Sequence, residues 1–231
     1  MWTCPLSRYD ASAEALQLLL CSEERTRLER FAFERDRRRF ALSHGLLRLI
    51  LSGYVGEAPE KLLFDIAPRG KPSLVLRKRS GPDLRFSLSH SGGMALVAVA
   101  CGREVGVDVE EIRADVHDLE LAKRFFAPAE AQVIAEATGD FRRRLFYRYW
   151  TAKEAFLKGR GGGISDGLDR FEILWQTDGG LGRIRCVGSD AIDPRWLVQE
   201  LKFEEALMGA VAVEGDGWQL EQCRPPSFSF S

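Results

Sequence analysis

Three short runs between Leu84 and Glu110, parted by glycine turns, constrain the fold more than any other stretch of the chain. Leu84 to Ser91 alternates, with Phe86 and Leu88 on one face and Ser87 and Ser89 on the other. Gly92-Gly93 turns the chain into the apolar run Met94 to Cys101, and Gly102-Arg103 turns it again into Val105 to Glu110. Side chains alternate along a strand, so Val105, Val107 and Val109 share one face, and Gly106, Asp108 and Glu110 the other. Strands joined by such tight turns predict an antiparallel meander.

Two carboxylates on one edge repel each other, so a cation is expected between them. A second acidic group stands in the segment from Trp150 to Lys158. The pattern from Phe141 to Lys158 predicts a helix stopped by Gly159 and the Gly161–Gly163 run. On it Trp150, Glu154 and Lys158 recur at i, i+4 and form one stripe. Glu154 could complete a three-carboxylate cage for a hard cation, and magnesium suits it because it keeps places for water and phosphate oxygens. Gly106 is read as leaving space for a ligand beside Asp108. Lys153 lies part-way round the helix and is placed at the rim, facing a phosphate. Each pattern also has a plainer reading: a solvated strand face for Asp108 and Glu110, and a surface ion pair for Glu154 and Lys158.

Other segments carry weaker signals. Ser89, His90, Ser91 and the glycines after them can hold phosphate through backbone N–H groups and the imidazole, or form an ordinary polar turn. Arg69 and Lys71 flank Gly70 in a turn before Pro72 and could clasp an anion. From Arg25 to Arg39 arginine dominates. Either these residues lace a helix face with Glu29, Glu34 and Asp36, or some bind an anion in forked geometry. The helix that follows, from Phe40, is expected to end near Gly53.

The remaining numbers narrow the class. With 231 residues, 45% hydrophobic and 29% charged, the chain can bury a real core. A net charge of −1 gives no global pull toward nucleic acid or anionic lipid. The five cysteines are scattered, without a Cys-x-x-Cys pair, which argues against a disulfide framework or zinc site and for a reducing cytosol. No signal peptide or membrane span is expected. Met208 to Val213 echoes Met94 to Val99, a weak internal duplication. The tail from Pro225 to Ser231 is expected to be loose or draped over the surface.

Taken in order, Arg69-Gly70-Lys71-Pro72, Phe86 to Ser91, Gly106 to Glu110, Arg124-Phe125-Phe126 with Glu130, and Trp150 to Lys158 resemble the 4′-phosphopantetheinyl transferases. The match is to the larger type that activates peptide and polyketide synthases. It runs from about Arg25 to Ile164. The resemblance implies an α+β fold of two similar halves related by a pseudo-twofold, residues 1–110 and 111–231, with coenzyme A in the cleft between them. It implies transfer of the phosphopantetheine arm to a serine of an apo acyl or peptidyl carrier protein. Asp108, Glu110 and Glu154 would then hold magnesium on the diphosphate, and Lys158 would steady it. Glu154, directly or through water, would be the base. Arg27, Arg39, Arg69, Lys71, Ser89 and His90 would bind the nucleotide end. Glu24 and His44 depart from the family pattern, where a basic and an acidic or small residue are common. The chain is expected to be a monomer, with no nucleic acid or membrane among its partners. Two competing readings use the same residues: a metal-dependent phosphohydrolase or nuclease, and a non-catalytic module recognising nucleic acid or protein through the arginines.

Overall fold

The computed structural model describes residues 1–75, 83–176, 180–204 and 206–225. The first strand, β1 (Trp2–Pro5), leads through a 3-10 turn into helices α1 (Ala13–Leu18) and α2 (Ser22–Glu29). The long helix α3 (Glu34–Val55) follows, with Glu34 and Asp36 in its first turn, where the helix dipole favours acids. It runs past Gly53 and ends at Gly56, whose left-handed φ of 68° closes it by a bond from its N–H to Ser52 O at 2.8 Å. Nothing stands within 4 Å of a Cβ built on Gly53, so that residue neither ends the helix nor packs it.

A hairpin of β2 (Leu63–Ile66) and β3 (Pro72–Val75) turns at Gly70, as the Arg69 to Pro72 segment predicts. Next come β4 (Leu84–Ser91) and β5 (Met94–Cys101), antiparallel through the Gly92-Gly93 turn. Strand β5 is central in a three-stranded sheet of order β1-β5-β4. Leu42, Leu46, Leu47 and Leu51 of α3 close over it onto Cys4, Phe86, Ala95 and Val97.

The expected meander stops there. Strand β6 (Val105–Glu111) pairs along its length with β10 (Leu207–Glu214), not with β5. It forms one edge of a five-stranded antiparallel sheet, β6-β10-β9-β8-β7, with β7 (Phe171–Trp175), β8 (Leu181–Cys186) and β9 (Ile192–Leu201). The division between the two sheets therefore falls at the Gly102 turn, ahead of β6, rather than after Glu110. The echoed segments take equivalent places, β5 and β10 each standing inside its own sheet.

Between β6 and β7 in the chain come α4 (Asp118–Phe125), α5 (Pro128–Glu136) and α6 (Gly139–Gly159). Helix α6 crosses β6 so closely that a Cβ on Gly106 would meet Ala155 O at 2.0 Å and Gly159 N at 2.3 Å. Gly106 thus serves helix packing and leaves no ligand space.

The two sheets are joined in two ways. The valines of β6 pack with Leu96 and Ala98 of β5 and with Val211 and Val213. Beside that core, β4 runs along β6 without a backbone ladder. The hydroxyls of Ser87, Ser89 and Ser91 instead accept the N–H groups of Val107, Val109 and Glu111 at 3.1, 3.4 and 3.1 Å. The C-terminal stretch returns to β1, where Thr3 and Met1 exchange backbone bonds with Cys223, and Tyr9 donates to Pro225 O at 3.1 Å. The tail beyond Pro225 lies outside the described residues, so the expectation for it stands apart from the structure.

Candidate active site

The serine seam is where the acidic residues gather. Asp108 and Glu110 project from β6 on the face opposite its valines, and α6 brings Glu154 and Lys158 over them. Ser89 donates its hydroxyl proton to Asp108 Oδ1 at 2.8 Å, and Ser91 donates to Glu110 Oε2 at 2.7 Å. Lys158 Nζ donates to the same Asp108 oxygen at 2.7 Å and to Ser89 at 3.0 Å. Each serine therefore holds a backbone N–H and a carboxylate at once. The sequence offers Ser91 only as part of a phosphate-holding turn; the two-residue period it shares with Ser89 is what aligns its hydroxyl with the carboxylates.

This wall is electrostatically loaded. Burial and then the charge of Asp108 push the Glu154 carboxyl up to about 7, against an opposing effect from Lys158 that exceeds the further push from Glu110. Burial and Asp108 also raise Glu110. Among the described residues, two oxygens, Asp108 Oδ2 and Glu154 Oε1, are buried with no hydrogen-bond partner. A native fold rarely leaves such acceptors unpaired, because each costs about 1–3 kcal/mol. The pair marks where a cation fits. As the side chains stand, the three carboxylates do not form a ready-made set of three metal donors among the described residues. The fit is therefore in chemistry and placement: hard oxygens, excess negative charge and two vacant acceptors.

Opposite stands a basic wall, and both line one cleft of about 490 Å³ with Trp150 between them. His90 lines both this cleft and the recess beside it. Enclosure between the cleft walls, followed by the charges of His44, Lys158, Arg39 and Arg27, holds its imidazole down at about 4. The arginines expected to bind phosphate are thus brought together: Arg27 faces the cleft, and Arg39 lines the adjoining recess with Phe146 and Trp150. Three other arginines of the run make structural ties. Arg25 donates to Leu20 O and Leu18 O, Arg37 to Glu34, and Arg38 to Asp10.

Three expected ligands stand differently. Lys153 is completely buried and does not reach the rim. Its ammonium ion-pairs with Glu130 at 2.7 Å and donates to Leu168 O and Phe171 O, while Glu130 accepts from Ile173 N at 2.8 Å. Lys71 lines the cleft but spends its donors on Glu104 at 2.6 Å, Gly159 O at 2.6 Å and Val105 O at 3.2 Å. With all three of its N–H bonds committed, it ties the two halves together rather than offering a free cation. Arg69 is exposed at the cleft mouth, 3.7 Å from Asp166.

A cleft with a carboxylate wall, a bridging lysine and an opposed basic wall can hold a polyphosphate through a divalent cation and set a base beside it. Relatedness agrees with the geometry. Residues 2–102 match the model described as 4′-phosphopantetheinyl transferase, N-terminal, and residues 104–212 match the 4′-phosphopantetheinyl transferase superfamily. The chain is 40% identical to the 4′-phosphopantetheinyl transferase HetI of Nostoc sp. across 95% of this chain and 89% of that protein. It is 42% identical to a putative 4′-phosphopantetheinyl transferase of Synechocystis sp., over 74% of this chain and 68% of that one. To the 4′-phosphopantetheinyl transferase Sfp of Bacillus subtilis it is 30% identical, over 76% and 74%. The chain belongs to the 4′-phosphopantetheinyl transferase family, enzymes that move the phosphopantetheine arm of coenzyme A onto a carrier-protein serine.

Proposed function

We propose that coenzyme A lies in this cleft with its diphosphate at the acidic wall and its adenosine end toward Arg27, Arg39 and His90. The two buried, unpartnered oxygens of Asp108 and Glu154 carry this reading, because they gather where a cation-bridged diphosphate is required. Asp108, Glu110 and Glu154 would hold magnesium. Bound there, it supplies positive charge to the diphosphate and to the transition state.

The chain's own residues do the rest. The carrier serine attacks the β-phosphorus, its proton passes to Glu154, and the bond to 3′,5′-adenosine diphosphate breaks. Lys158 spends two of its N–H bonds on Asp108 and Ser89 and keeps a third for the departing oxygen. Ser89 and Ser91 fix the orientation of Asp108 and Glu110. The partner is an acyl or peptidyl carrier protein, which arginines at the cleft mouth help to dock. The two halves, each a long helix on an antiparallel sheet, form a pseudo-twofold pair, and one chain builds the whole cleft as a monomer. All five cysteines are free of disulfides, as suits the cytosol, and no described helix is long and apolar enough to cross a membrane.

The test is to incubate the protein with coenzyme A, magnesium and an apo carrier protein and weigh the carrier. The carrier gains one phosphopantetheine arm, and chelator prevents the gain. Release of inorganic phosphate from simple esters without a carrier would instead favour a phosphohydrolase.

A further inference from the structure

Helix α6 is held at both edges of the five-stranded sheet, and Glu154 lies between the two holds. At the β6 edge the carbonyl of Ala155 comes so near that a Cβ on Gly106 would stand 2.0 Å from it. At the other edge is β7, the outermost strand. Arg170 O and Gln176 N bond to Val187 N and Leu181 O on the β8 side. By alternation, Phe171 and Ile173 turn their backbone groups outward. The buried Glu130–Lys153 pair meets them there. Lys153 donates to Phe171 O, and Glu130 accepts from Ile173 N at 2.8 Å and from Ala127 N at 3.3 Å. The pair stands in for a further strand and joins α5, α6 and β7. The proposed chemistry uses neither charge.

Glu154 has no such tether. Among the described residues its buried Oε1 accepts no hydrogen bond, so the backbone of α6 sets where the carboxylate lies. Consecutive helix residues are turned about 100° from each other, so a roll that drew Lys153 from β7 would carry Glu154 with it. We propose that Glu130 is a positioning residue for the transfer reaction: acting through Lys153, it sets the roll of α6 and holds the Glu154 carboxylate beside Asp108. This inference rests on the reading of Glu154 as the base. Glu130 is buried and lines no part of the cleft, so it touches neither coenzyme nor carrier.

A double-mutant cycle tests it, with kcat and KM measured per folded molecule. Glu130→Asp keeps the charge opposite Lys153 and shortens its reach by one methylene. Transfer kcat falls about tenfold, on the scale of a displaced reacting group, while KM for coenzyme A stays within about threefold. Lys153→Arg repeats the measurement from the other partner. Glu154→Gln alone lowers kcat by orders of magnitude, and adding Glu130→Asp to it costs less than about twofold more, because the first residue acts through the second. Ile50→Val, in the core of the other half, leaves kcat per folded molecule unchanged. Losses that multiply in the double variant overturn the inference, as does a kcat untouched by both Glu130→Asp and Lys153→Arg; in either case the base reading stands if Glu154→Gln is slow. A Glu154→Gln protein as fast as wild type removes the base reading and this inference with it.

Discussion

At the scale of single residues, the site trades stability for charge. Glu154 has a folded pKa of about 7 against an ordinary 4.5. A raised carboxyl favours the neutral form in the fold. Stability is therefore full below about 4.5 and is lost as pH rises through about 7. At pH 8, Glu154→Gln raises the stability of magnesium-free protein by up to about 3 kcal/mol, read by urea unfolding, while transfer falls by orders of magnitude. Glu24 has the opposite sign. Burial alone would raise it, but His44, Arg48 and the Cys21 N–H hold it near 2. Its contribution is present above about 4.5 and is lost as pH falls toward 2. Glu24→Gln should flatten that acid limb by about 3 kcal/mol at most, measured as the slope of unfolding free energy against pH.

At the scale of elements, the seam and the helix contact decide the geometry. Glu130→Ala leaves Lys153 charged and buried without its partner, which costs about 3–5 kcal/mol. A denaturant midpoint unchanged from wild type would contradict that account. Gly106→Ala must push α6 from β6, because the new methyl would overlap two backbone atoms of the helix. It should destabilise strongly and lower transfer with it. The elements legible in the sequence were those with a clean period: β4, β5, β6, β10, α3 and α6 lie close to where alternation and helical spacing place them. The pairing of β6 was not legible. Alternation assigns faces but not neighbours, and its partner β10 lies about a hundred residues away, beyond what local turns report. Gly106 and Lys153 misled for a related reason. A glycine or lysine at a site looks the same in sequence whether it faces a ligand or a neighbouring backbone, and Glu130, which claims Lys153, sits on a separate helix.

At the scale of the whole molecule, two sheets meet through valines and serines, and both sides of the cleft come from that junction. Asp108, Glu110, Glu154, Lys158 and His90 were legible as an ordered set because each rides on a regular element. The Glu24–His44 pair was not, since two departures from a pattern do not reveal that they touch. The central claim is that carboxylates from distant stretches hold a divalent ion that grips the coenzyme's diphosphate. The direct measurement is calorimetric titration of coenzyme A into the protein, with magnesium and with chelator, for wild type and Asp108→Ala. Tight binding that needs magnesium in the wild type, and that is lost in Asp108→Ala under either condition, is the predicted result. Affinity that ignores both magnesium and Asp108 would contradict it.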